Sequence, residues 1–136
     1  LNKTKTMIYF EIAATQMDPD VITEKLNIQP SESYRNGDLI EDSFYRYRQR
    51  SVWRISSGYQ EDLFLDESFK KVIDPLRMKT AVINDIRKEF SATCHLIVVS
   101  EMFNGQAPAL GFFADIIRFA ADIHADIELD LYPWEY

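Results

Sequence analysis

Hydrophobic and polar positions alternate with period two in several stretches of the chain and with helical period between them. From Thr6 to Thr15, Ile8, Phe10 and Ile12 share one face, with Tyr9, Glu11 and Ala13 on the other, which predicts a first strand. Asp18 followed by Pro19 reads as an N-cap and first helical position, opening a short helix that runs to about Leu26 and turns Ile22 and Leu26 inward. Gln29 to Ser43 has no period and carries Pro30 and an Asn36-Gly37-Asp38 turn, so a long loop is expected. Phe44 to Ser56 alternates again and predicts a second strand.

Helical spacing returns from Gln60 to Asp74, with Leu63, Phe69, Val72 and Ile73 inward, and Pro75 ends or breaks that helix. A further helix over about Lys79 to Phe90 buries Val82, Ile83, Ile86 and Phe90. Thr93 to Met102 is the most apolar strand, and its Leu96–Val99 run implies burial on both faces and a central position. Asn104 to Pro108 is a loop. Phe113, Ile116, Ile117, Ala120 and Ala121 recur at amphipathic-helix spacing. Ala125 to Tyr132 alternates, with Ile127, Leu129 and Leu131 opposite Asp126, Glu128, Asp130 and Tyr132.

The order is β-α-β, two linking helices, then β-α-β. It predicts one α+β domain over residues 1–136: a ferredoxin-like α/β sandwich with a four-stranded antiparallel sheet and helices on one face. A length of 136 residues suits one domain without a metal or disulfide staple. No segment has the composition of an interdomain linker.

Charge changes this picture most. The net charge is −7, yet the segment from Phe44 to Ser56 holds Arg46, Arg48, Arg50 and Arg54 and no acid; without it the balance is −11. From Glu101 to Tyr136 there are seven acids and a single base, Arg118. On a strand, the four arginines would form a cationic stripe, with Tyr45, Tyr47, Trp53 and Ile55 on the other face. Asp126, Glu128 and Asp130 form the mirror stripe. In a ferredoxin-like order the second and fourth strands lie at opposite edges, so one sheet face would be polarised, basic at one edge and acidic at the other. Such a face fits a protein partner or self-association, including a homodimer. Nucleic acid is not the expected partner, because a basic domain is its usual footprint.

Other chemistry is sparse. The 30–38 loop offers Ser31, Ser33, Arg35 and Asp38 as ligand contacts, with Arg35 able to clamp a carboxylate or phosphate; the competing reading is that these groups cap backbone atoms. Glu11 with Asp126, Glu128 or Asp130 could bind a divalent metal in an enzyme, but a solvated or salt-bridged edge strand is favoured. Cys94 and His95 are adjacent on a strand and point to opposite faces, so they make no nucleophile–base pair. Cys94 reads as a buried small hydrophobe, Trp53 as a core anchor, and His124 as a cation suited to a helix C-terminus. No metal or cofactor set is evident. Tyr132, Pro133, Trp134 and Tyr136 form an aromatic tail that either folds back or docks to a partner. A lone cysteine, no apolar run of roughly 18 residues and no signal-peptide core point to a cytoplasmic protein without membrane contact.

A pattern accumulates along the chain: Thr23-x-x-Leu26-x-Ile28-x-Pro30-Ser31, then Gly37-Asp38, Trp53, and Ala125-Asp126-Ile127-Glu128-Leu129-Asp130-Leu131-Tyr132. It resembles a bacterial family of small proteins catalogued only as a domain of unknown function, over about Tyr9 to Tyr132. The resemblance implies a compact intracellular α/β domain and carries over no activity; the arginine run is richer than that pattern requires. The resulting expectation is a non-catalytic binding protein that uses its charged sheet face, one version being an immunity-type inhibitor of a basic toxin. The alternatives are a sensor of an anionic small molecule at the 30–38 loop and a metal-dependent enzyme.

Overall fold

The structure, a computed structural model, describes residues 2–134. Tyr136 of the aromatic tail lies outside the described residues. Strand β1 (Lys5–Ala14) is the middle of the sheet, and its Ile8, Phe10 and Ile12 are fully buried. Helix α1 (Pro19–Leu26) starts where Asp18 accepts a hydrogen bond from the Asp20 N–H at 2.9 Å, and ends at Asn27 in the left-handed region. Strand β2 (Glu32–Tyr34) and strand β3 (Ser51–Ser56) follow. Helix α2 (Asp66–Ile73) then runs into a 3-10 turn (Asp74–Lys79) at Pro75, and helix α3 (Thr80–Phe90) leads into strand β4 (Thr93–Phe103). Helix α4 (Ala114–Asp122) and strand β5 (Ala125–Trp134) complete the described order.

One mixed sheet results, in the order β2-β3-β1-β4-β5. All neighbours are antiparallel except β4 and β5, which run parallel. The expected four-stranded antiparallel ferredoxin-like sheet is thereby corrected in strand number and in order. The β-α-β units are not split around each other: β3 lies beside β1, and β5 lies beside β4. The long chain between α1 and β3 lets β3 return antiparallel to β1, whereas the α4 crossover returns β5 parallel to β4. The core lies between one sheet face and the helices. Phe10, Trp53 and Leu96 from the strands meet Ile22, Phe69, Ile73, Ile83, Ile86 and Phe119 from the helices in a single cluster. Trp53 packs edge-on against Phe10 with ring centroids 6.5 Å apart and donates its indole N–H to Thr23 Oγ1 at 3.0 Å.

The arginine segment is the main departure. Only Ser51–Ser56 is strand. Residues before it fold back on the preceding loop: Arg48 N–H donates to the Asp38 carbonyl at 2.7 Å, Gly37 N–H to the Arg48 carbonyl at 2.9 Å, and Ile40 N–H to the Arg46 carbonyl at 2.8 Å. Gly37, at φ +92°, makes the turn that permits this. The alternation of Arg46, Arg48 and Arg50 therefore does not become a stripe on a sheet face. Phe44 and Tyr45 stand out in solvent because no neighbouring strand or helix covers them. Nor is β3 an edge: β2, expected as loop, pairs with it over Val52–Arg54.

Candidate functional site: the open sheet face

Directly opposed residues of neighbouring strands project from the same face of a sheet. The register places Glu32 opposite Arg54, Arg54 opposite Glu11, Glu11 opposite His95, and His95 opposite Asp126. A single row of ionisable side chains thus crosses all five strands on the face away from the helices.

The β1–β3 half of this row is internally neutralised. Glu11 has a side chain only 2% exposed. Arg54 Nε donates to Glu11 Oε1 at 2.7 Å, and Arg50 donates to Glu11 Oε2 at 3.2 Å. Arg54 reaches Glu32 as well, at 3.3 Å, and its guanidinium lies 4.8 Å from the Tyr9 ring centroid. Burial alone would lower the Arg54 pKa, but the hydrogen bond and charge of Glu11 outweigh it and hold the guanidinium above its ordinary value. Burial of the Tyr9 hydroxyl raises its pKa, with Arg54 opposing. A carboxylate in this apolar strand is tolerated because two guanidiniums complete it.

The β5 half is not neutralised. Asp126 and Glu128 have side chains 78% and 52% exposed. Among the described residues no lysine or arginine forms an ion pair with Asp126, Glu128 or Asp130; the His95 ring lies beside Asp126 and Glu128. His95 Nδ1 lies 3.4 Å from Glu128 Oε2 and 3.8 Å from Asp126 Oδ2, without a hydrogen bond, while Nε2 contacts Thr93 Oγ1 at 2.9 Å. The Tyr132 hydroxyl donates to Asp130 at 2.9 Å, which raises the tyrosine pKa. A depression of about 380 Å³ runs between the two halves, walled by Glu11, Arg50 and Arg54 on one side and by His95, Glu128 and Asp130 on the other.

The expected basic edge does not form: Arg50 and Arg54 close onto Glu11 and Glu32 inside the sheet, and an acidic ridge stands beside that network. Arg50 and Arg54 contribute to that network. Arg48 instead lies 3.9 Å from the Tyr34 ring centroid, and Arg46 makes no side-chain ion pair among the described residues. The loop residues proposed as ligand contacts have structural partners. Ser31 Oγ accepts from the Ser56 N–H at 2.9 Å, and Ser33 pairs with Trp53 in the β2–β3 ladder. Arg35 bridges Asp18 at 2.7 Å and Asp20 at 3.0 Å, and Asp38 accepts from the Arg35 N–H at 2.8 Å. The hydrogen bonds that its guanidinium donates to Asp20 and Asp18 raise the Arg35 pKa. Cys94 points into the core, where burial pushes its thiol up to about 12. Among the described residues no three His, Cys, Asp or Glu are grouped to hold a metal ion, and no helix is long and apolar enough to cross a membrane.

His95 and the pairing role of Glu11 are the parts that sequence reasoning missed. A glutamate inside the run Ile8-Tyr9-Phe10-Glu11-Ile12 was the available signal, since a carboxylate in a central strand demands a buried partner. No curated protein and no solved structure matches the chain. A family model described as a domain of unknown function (DUF4279) matches residues 2–134, and the chain belongs to that family.

Proposed function

We propose that this is a non-catalytic binding protein whose acidic β5 face receives a basic protein partner. The observation that carries the reading is the contrast within one row. Arg50 and Arg54 are already paired with Glu11, while Asp126 and Glu128 stand exposed and, among the described residues, have His95 as their one ion-pair neighbour. Unpaired carboxylates on one side of an edge strand attract a basic surface and speed its encounter. The excess of acids in the whole chain adds to that field. An immunity-type inhibitor that masks a basic toxin, acting in the cytoplasm, is the specific form we favour. The anionic-ligand sensor is less favoured, because Arg35 is engaged by two aspartates and would have to release them.

Calorimetric titration of the purified basic products of neighbouring genes tests the reading. Binding that weakens with salt, and weakens further when Asp126→Asn, Glu128→Gln and Asp130→Asn are combined, supports it. Binding unaffected by that triple substitution rejects this face as the interface.

A further inference from the structure

The two sheet edges are unequal. The β2 edge is three residues long, whereas β5 presents ten residues that, among the described residues, have a neighbouring strand on one side only. An unpaired edge is a template for another strand. Pro133 fixes which groups it offers. Proline has no N–H to give a ladder, and Pro133 pairs with Met102 in an unbroken register from Ala125 to Trp134. The bonds to β4 therefore fall to even-numbered residues of β5. Ile127, Leu129 and Leu131 turn their N–H and C=O groups outward.

The side chains define what can pair there. Asp126, Glu128 and Asp130 project on the open face, and Leu129 and Leu131 on the other, where they are 46% and 40% exposed. A second copy of this chain is a poor occupant. Antiparallel pairing about Glu128 would set Glu128 against its own copy and Asp126 against Asp130, and directly opposed like charges are destabilising. We infer that β5 accepts an extended basic segment by strand addition, with Lys or Arg on alternate positions over the three carboxylates and aliphatic residues beside Leu129 and Leu131. Main-chain bonds to Ile127, Leu129 and Leu131 give affinity, and the alternating side chains give selectivity. This rests on the proposed function above and specifies how the basic partner is held.

The probe is the peptide acetyl-Lys-Val-Lys-Val-Lys-Thr-Lys-amide, titrated into the full chain and followed by NMR and amide hydrogen exchange. The expected result is binding that protects the amides of Ile127, Leu129 and Leu131. N-methylation of one alternate set of peptide amides, the Val and Thr positions for an antiparallel strand, should weaken it about tenfold or more. N-methylation of the other set should leave it nearly unchanged. Equal binding by all three peptides overturns strand addition and leaves the acidic-face reading standing, since charge alone would then suffice. No binding by any of them overturns both. A chain that dimerises through β5 also overturns the inference.

Discussion

Glu11 and Arg54 face each other across the β1–β3 ladder, with Arg54 Nε 2.7 Å from Glu11 Oε1 and the carboxylate almost fully removed from solvent. Removing one member of a buried pair leaves the other charged and poorly solvated, which costs more than the pair contributes. Glu11→Gln should therefore destabilise the protein by about 3 kcal/mol in urea unfolding. Arg50→Ala removes a half-exposed contact to the same carboxylate and should cost no more than about 1 kcal/mol. Equal losses from the two substitutions would contradict this division of roles.

The buried Trp53 indole gives its N–H to the Thr23 hydroxyl. Thr23→Val keeps the shape but leaves the buried Nε1–H without its acceptor. The expected loss is about 1–2 kcal/mol, with Thr23→Ser recovering most of it, read from denaturant midpoints at constant m-value.

Cys94 supplies a pH-dependent term. Burial raises its folded-state pKa from an ordinary 9.0 to about 12. The unfolded thiol ionises first, so this contribution is complete below about pH 9 and is lost as pH rises toward 12. The stability difference between the wild type and Cys94→Ala should shift against the wild type over that interval. The native thiol should also resist alkylation at pH 8 and react once the chain is unfolded in urea.

Period and capping made much of the fold legible in the sequence. Asp18-Pro19, the Ile8-Phe10-Ile12 face, the apolar Leu96–Val99 run and the Ile116–Ala120 spacing each belong to an element that forms where expected. Local period fails where pairing partners decide. Tyr45 to Arg50 alternates like a strand, but its backbone bonds go back to Asp38 and Ile40 rather than into the sheet. Glu32–Tyr34 shows no period because three residues pair on one side alone. Strand order is a non-local property, so the adjacency of β4 and β5, and with it the position of His95 beside Glu128, could not be read from spacing. The acidic stripe was legible; the absence of a lysine or arginine ion pair to it among the described residues was not, because that depends on Arg50 and Arg54 being drawn to Glu11.

The carboxylates of β5 add little to the fold and should be separable from it. Combining Asp126→Asn, Glu128→Gln and Asp130→Asn removes two exposed charges and one half-buried charge that, among the described residues, neighbour a histidine or a tyrosine and no lysine or arginine. Stability should change by less than about 1 kcal/mol, or rise slightly as repulsion is relieved. Circular dichroism and urea unfolding of the triple variant check this.

The most direct measurement compares the affinity of the wild type and of this triple variant for a purified basic partner, at low and at moderate salt. The prediction is a loss of tenfold or more in the variant, on the order of 1.4 kcal/mol, and a weaker salt dependence than the wild type shows. Equal affinity and equal salt dependence in a correctly folded variant would contradict the acidic β5 face as the binding surface.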